Sequence, residues 1–259
     1  MGDRFDVIVS VGGDGTINEI INGMPELDMP LGIIPIGSGN DFARSCCIPH
    51  DSVSEAIRIL IQGDARRLDV GSVNGRFFIN AMGLGFEGQV NAVCQRLTKV
   101  RGALKYLAGI GIVFLTYRRV SINLTSTEFS SDGPVFLVSI GNGWNVGGGL
   151  QLTPHAQLDD GLLDICFIKA ISRWRIISNF SRLTDGTIRD LPEIQYFRTN
   201  SLTIECSKPV PVHADGEQLS HLANKIEICL HPGAQSIIGN WIVDSRTSSY
   251  KNKARKIAD

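Results

Sequence analysis

Apolar and polar positions in the first third of the chain switch repeatedly between two periods. Val7-Ile8-Val9-Ser10-Val11 is a short β-branched run, the mark of a buried strand. Gly12-Gly13-Asp14-Gly15-Thr16 follows it. Ile17, Ile20, Ile21 and Met24 then recur at i, i+3, i+4 and i+7, one face of a helix. Thr16 and Glu19 have the spacing of a capping box at its start, and Gly23 and Pro25 mark its end. The scheme repeats. Leu31 to Ile36 predicts a strand, Gly37-Ser38-Gly39-Asn40-Asp41 a turn, and a short helix runs on through Arg44. A further helix is predicted from Val53 to Gln62, capped by Ser52 with Glu55 and stopped by Gly63. Repeated strand, glycine turn and helix predict a parallel α/β layer.

Near Arg67 the pattern changes. Leu68 to Val73 and Arg76 to Ile79 are strand-like and flank Asn74-Gly75, a two-residue hairpin signal. Further strands are predicted at 135–140, 163–168, 201–206, 210–214 and 225–230, with helical stretches at 86–117 and 171–184. Strands separated by turns predict an antiparallel sandwich or barrel, with a domain boundary near residue 66.

Composition narrows the class. Hydrophobic residues make up 43% and charged residues 20% of 259, as in an ordinary globular chain. Twenty-five Lys and Arg against 26 Asp and Glu leave a net charge of −1, without the basic excess of a nucleic-acid binder. Six cysteines without a Cys-x-x-Cys pair predict reduced thiols in a cytoplasmic protein. The longest uncharged run, Tyr106 to Tyr117, is short of the ~20 residues that span a bilayer. No signal-peptide core opens the chain. Metalloprotease, zinc and α/β-hydrolase motifs are missing from the sequence.

Two glycine turns after neighbouring parallel strands would face one crevice, where α/β proteins bind ligands. Glycines admit a phosphate close to the backbone, and a helix N-terminus favours the anion. Asp14 could hold Mg²⁺, or cap the helix. Gly83-Leu84-Gly85-Phe86-Glu87-Gly88 matches GxGxxG but lies in the strand-rich region and reads as a strand-to-helix turn. Asp159-Asp160-Gly161 is a hairpin turn or a cation loop. Asp215-Gly216-Glu217 is an Asp-Gly turn, or two carboxylates on one side of a strand, one serving as base. Arg96, Lys99, Arg101 and Lys105, ahead of the apolar run, could meet an anionic membrane or form a solvated face. The basic tail from Asp244 to Asp259 has the same two readings.

Val11 to Glu19 and Pro35 to Arg44 together resemble the diacylglycerol kinase catalytic-domain family, in its bacterial lipid kinase branch. Leu68 to Gly71, Gly83 to Phe86, Gly141-Asn142-Gly143 with Gly147-Gly148-Gly149, Leu158 to Asp164, and Asp215-Gly216-Glu217 match it in order. The resemblance implies an α/β plus β architecture: a parallel α/β nucleotide-binding domain and a C-terminal antiparallel β-sandwich. The expected limits are 1–66 and 67–241, with the tail 242–259 returning to the first domain. It implies an ATP-dependent kinase acting on a lipid hydroxyl, diacylglycerol foremost. Gly12, Gly13, Asp14, Gly15 and Thr16, with Gly37, Ser38, Gly39 and Asn40, would hold ATP. Asp14 would serve Mg²⁺, Asp41 the acceptor hydroxyl or metal, and Glu217 would be general base with Asp215 beside it. A structural Mg²⁺ loop would use the carbonyls of Gln157 and Leu162 and the carboxylate of Asp160.

Members of this family usually carry further strand–helix units before the first glycine turn, where eleven residues stand here. The parallel sheet is therefore expected to be truncated, with an open edge that could pair two copies in a homodimer. The expected partners are ATP and a lipid at a membrane surface, not nucleic acid. Competing readings are an inactive lipid- or nucleotide-binding remnant and an NAD kinase. The Asp215 and Asp160 blocks argue against the latter.

Overall fold

The computed structural model describes residues 5–24, 29–97, 100, 102–179, 181–182, 187–219 and 221–241. Pro25, Lys99, Arg101 and the tail from 242 onward lie outside the described residues. The first β-branched run forms β1 (Ile8–Gly12), followed by α1 (Asp14–Gly23), β2 (Leu31–Pro35), α2 (Asp41–Ser45) and α3 (Val53–Gln62). β1 and β2 are parallel, in register from Ile8 against Leu31 to Gly12 against Pro35. Ile17, Ile21, Ile33, Ala56 and Ile59 pack together, so α1 and α3 close over this sheet. At α3 the Ser52 hydroxyl accepts the Glu55 N–H at 3.3 Å, as the spacing predicts. The Thr16–Glu19 box does not form. α1 begins three residues earlier, at Asp14, with Gly13 in place of Thr16 as an N-cap that has no side chain to offer. The glycine pair lets the helix start almost where the strand ends.

The remaining chain forms β3 (Asp64–Val73), β4 (Arg76–Phe78), β5 (Ala81–Gly85), α4 (Phe86–Arg96), α5 (Gly102–Thr116), β6 (Val120–Thr125), β7 (Ser130–Gly141) and β8 (Leu163–Lys169). Then come α6 (Arg173–Ser178), β9 (Ile194–Thr199), β10 (Ser201–Val210), β11 (Val212–Ala214), β12 (Glu217–Gln218) and β13 (Ala223–Gly239). Asn74 and Gly75, at φ 48° and 82°, make the predicted turn, pairing Val73 with Arg76. The long helical stretch is two helices, α4 and α5, and the second stretch is the short α6. β5, β6, β9 and β12 are strands that were not predicted, and β5 takes in Gly83 to Gly85 of the run read as a strand-to-helix turn.

Phe78, Leu84, Leu124, Val138, Ile165, Ile204 and Ile226 fill the interior of the antiparallel part. A separate cluster joins Val90 of α4 and Val113 of α5 to Phe136, Leu137 and Ile168 on an outer sheet face. β13 couples the two parts. It pairs with β10 and β3, shifts register between His231 and Gln235, and reaches β2 at Ile237 opposite Leu31. The expected boundary near residue 66 falls inside β3, whose Asp64 to Val73 run lies along β13. The architecture is thus a parallel α/β layer joined to a C-terminal β-sandwich. β1 is an edge, pairing with β2 alone among the described residues, with Val9 and Val11 exposed. None of the six cysteines forms a disulfide: Cys46, Cys47 and Cys166 are buried, whereas Cys229 is exposed and not a core thiol.

Candidate active site

The two glycine turns leave adjacent strand ends and touch. Ile36 N–H donates to the Gly12 carbonyl at 3.0 Å. A Cβ built on Gly37 would lie 2.4 Å from Gly13 Cα, so a side chain has no room there. Asn40 holds the second turn: its Oδ1 accepts Gly37 N–H at 2.9 Å and its Nδ2 donates to Gly37 O at 2.8 Å. It does so from a left-handed backbone, φ 53°, which asparagine tolerates. Thr16 folds back over Gly12, and Ser38 is exposed at the mouth.

Asp14 reaches across from one turn to the other. Its two oxygens accept the N–H groups of Phe42 at 2.9 Å and Asp41 at 3.2 Å, capping α2. Asp41 turns the opposite way and accepts Gly148 N–H at 2.9 and 3.0 Å. Burial, and then the Asp14 charge, push the Asp41 carboxyl up to about 6. Both carboxylates converge on Gly39, where a Cβ would meet Asp14 Oδ2 at 3.1 Å and Asp41 Oδ2 at 3.4 Å.

Asp215 and Gly216 are the turn of the β11–β12 hairpin, at φ 49° and 81°. The carboxylates at 215 and 217 therefore do not share one side of a strand; the turn sends them apart. Asp215 is buried and accepts four hydrogen bonds. These come from Ile79 N–H at 2.8 Å, Asn80 N–H at 2.9 Å, Ala81 N–H at 3.0 Å and Asn18 Nδ2 at 2.9 Å. Burial pushes its carboxyl up, against the pull of those donors. Glu217 is exposed and faces the first turn, its Oε1 3.3 Å from where a Gly15 Cβ would stand. Asp215 thus anchors the hairpin, and Glu217 closes the cleft from the sandwich side.

The Asp160 turn lies elsewhere. Asp160 Oδ1 accepts Leu162 N–H at 3.1 Å, and its other oxygen pairs with Arg198. Asp69 ties the loop down, accepting Gly161 N–H at 2.7 Å and Gly233 N–H at 2.8 Å. Among the described residues no three His, Cys, Asp or Glu side chains gather to hold a metal. The converging Asp14 and Asp41 fit Mg²⁺, which takes one or two carboxylates and completes its shell with water and phosphate. The Asp160 loop fits it less well, because Arg198 already neutralises the Asp160 carboxylate and Arg66 pairs with Asp159.

Sequence reasoning passed over a set of buried asparagines that cross-link strands and loops of the sandwich part. Asn142 Nδ2 donates to the carbonyls of Asp69 and Ile79, and Asn80 Nδ2 to Asn145 O, at 2.7–2.9 Å. Asn18 could have been found: it is a polar residue on the buried face of α1, between Ile17 and Ile21. Also unforeseen is an apolar cavity of about 520 Å³ between α4, α5, α6 and the sheet, with Val90, Ile110, Phe114, Phe136, Ile168 and Leu191 among its walls. Its polar members are Glu87, Tyr106 and Asn179. The Tyr106 hydroxyl lies 2.8 Å from where a Gly147 Cβ would stand, one residue from the Gly148 that binds Asp41. The cavity therefore ends beside the glycine cleft.

Comparison with known proteins places the chain in a family. Residues 1–73 match the diacylglycerol kinase catalytic domain, and residues 80–239 match the YegS C-terminal NAD kinase beta sandwich-like domain. A protein named diacylglycerol kinase from Bacillus subtilis is 35% identical, over 83% of this chain and 72% of its own. A probable lipid kinase YegS-like protein from Chromohalobacter salexigens is 32% identical, over 88% and 74%. A crystal structure of a candidate diacylglycerol kinase from Bacillus anthracis superimposes with TM-score 0.76 at 28% identity, covering 94% of this chain and 81% of that one. An Archaeoglobus fulgidus NAD kinase shares the fold alone, with TM-score 0.50 at 14% identity over 97% and 84%.

Proposed function

The chain belongs to the diacylglycerol kinase family, and we propose that it transfers the γ-phosphoryl group of ATP to a lipid hydroxyl, that of diacylglycerol foremost. The observation that carries this reading is the approach of Glu217 to Gly15 across the cleft. It puts an exposed carboxylate beside a turn built for phosphate, with an apolar cavity ending nearby.

In this reading Gly12, Gly13, Gly15 and Thr16, with Gly37, Ser38, Gly39 and Asn40, receive the ATP phosphates. Their shape admits backbone N–H groups close to the anion. Asp14 and Asp41 would hold Mg²⁺, which neutralises phosphate charge when bound. The lipid oxygen bonds to the γ-phosphorus, the bond from phosphorus to the bridging oxygen breaks, and ADP leaves. Glu217 takes the hydroxyl proton as the oxygen–phosphorus bond forms. Asp215 touches no reactant in this account; it positions Glu217. The cavity takes an acyl chain, in keeping with its nearly unbroken apolar wall.

A peripheral membrane position is part of the proposal. No helix among the described residues is long and apolar enough to cross a bilayer. α5 turns Leu104, Leu107 and Leu115 outward, and Trp174 of α6 is 80% exposed, on two helices that also line the cavity. These are groups that enter a lipid interface.

The test is Mg-dependent transfer of labelled γ-phosphate to 1,2-dioleoylglycerol in detergent micelles. Labelled phosphatidate is expected. Folded protein that labels no lipid across a panel of acceptors would overturn the reading.

A further inference from the structure

Among the described residues the apolar cavity has one side-chain donor left free, the Tyr106 hydroxyl. Three polar residues stand in its walls. Glu87 pairs its Oε1 with His213 Nε2 at 3.0 Å, and its Oε2 is shut off in the interior. Asn179 Nδ2 is engaged by the Arg175 carbonyl at 2.8 Å and the Ser178 hydroxyl at 3.1 Å. The half-buried Tyr106 bonds its hydroxyl to no group among the described residues, and that oxygen is not shut off as Glu87 Oε2 is. Burial, and then the charges of Glu87 and Asp41, push the phenol well above its usual range, so it stays protonated and can donate.

The position of this donor follows from α5. Tyr106, Ile110 and Phe114 recur at i, i+4 and i+8 on one face of that helix, and all three line the cavity. At the helical rise they span about 12 Å. Phe114 stands at one end, where Phe86, Phe136 and Ile171 also close the wall. Tyr106 stands at the other, its hydroxyl against Gly147, which leaves it the space a side chain would take. The next residue, Gly148, donates its N–H to Asp41 at 2.9 Å. The phenol therefore lies between an apolar channel and a carboxylate of the transfer site.

Diacylglycerol carries two esters, which only accept hydrogen bonds, and a hydroxyl on the carbon next to one of them. An acyl chain lying along α5 with its tail toward Phe114 brings its ester to Tyr106. The neighbouring hydroxyl then falls on the Asp41 side. A site built to bond a polar group rejects an analogue that lacks it.

Resting on the lipid-kinase reading, we infer that Tyr106 is a specificity-determining residue whose hydroxyl donates to the ester carbonyl next to the reacting hydroxyl. The enzyme therefore distinguishes ester-linked from ether-linked acceptors. The same bond sets how far the lipid hydroxyl extends toward the phosphate.

The experiment compares kcat/KM for 1,2-dioleoylglycerol and for 1,2-di-O-oleylglycerol, which has the same chains and hydroxyl but no carbonyl. The wild-type chain is expected to prefer the ester by about tenfold, the worth of one hydrogen bond. Tyr106→Phe removes only an oxygen that nothing in the protein bonds. It should bring ester use down to within a few-fold of ether use and leave ether use near the wild-type value. Equal use of ester and ether by wild type overturns the inference without any variant. So does an ester preference that survives in Tyr106→Phe, and so does an equal loss on both lipids, which would assign Tyr106 to packing. In each of these cases lipid is still labelled and the kinase reading stands. Labelling of neither lipid by wild type is the failure of the kinase reading itself.

Discussion

The Asp14 carboxylate accepts the backbone N–H of Phe42 at 2.9 Å, so the first glycine turn caps the helix that follows the second. The two turns are one unit, and the side chain that joins them is the one the phosphate cleft would otherwise use alone. Asp14→Ala removes an acceptor from two N–H groups at a helix N-terminus. It should lower unfolding stability by about 1–2 kcal/mol, the usual worth of such a cap. Asp14→Asn keeps an acceptor and should lose less. Urea unfolding of the three proteins checks this; equal midpoints would show that Asp14 holds nothing together.

Asp215 gathers four donors in a buried space, three of them consecutive backbone N–H groups. Asp215→Ala strands those donors, and each buried unpaired group costs ~1–3 kcal/mol. A loss of about 3 kcal/mol or more is expected, large enough to leave much of the protein insoluble. Asp215→Asn places an amide donor among donors and should also be destabilised. A variant with near-wild-type stability would assign Asp215 to chemistry instead of architecture.

Gly37 and Gly75 separate two uses of glycine. A Cβ on Gly37 meets Gly13 Cα at 2.4 Å, whereas nothing lies within 4 Å of one on Gly75. Gly75 is needed only for its φ of 82°. Gly75→Ala should cost about 1–2 kcal/mol through backbone strain, with ATP binding unchanged. Gly37→Ala should push the turns apart and weaken ATP binding by an order of magnitude or more. Calorimetric titration with ATP distinguishes them; equal affinities would remove the second turn from the nucleotide site.

Local features of the fold are written in the sequence. The β-branched run before Gly12, the Ser52–Glu55 cap and the Asn74-Gly75 turn all specify their structures from a few neighbouring residues. β6 is legible too, since Val120, Ile122 and Leu124 alternate with exposed positions, although the segment is short. What local pattern does not carry is distance along the chain. Asp215 finds donors 134 to 197 residues away, and Asp69 bonds Gly161 and Gly233. Asp-Gly alone marks a turn at 215–216; only the buried N–H groups of β5 and its approach decide that one carboxylate goes inward and the next outward. The cavity is likewise invisible locally. Its walls come from helices and strands whose apolar residues read as ordinary core.

The central claim is that Glu217, facing Gly15 across the cleft, takes the proton of a lipid hydroxyl while the glycine turns hold ATP. Glu217→Gln isolates it, because the side chain is exposed and its loss should not disturb the core. The decisive measurement is the rate of phosphoryl transfer from ATP to micellar diacylglycerol, with ATP affinity measured on the same samples. The account predicts a rate lower by roughly 10²–10⁴-fold, the usual contribution of a general base, at ATP affinity within a few-fold of wild type. Transfer at the wild-type rate in Glu217→Gln would contradict it.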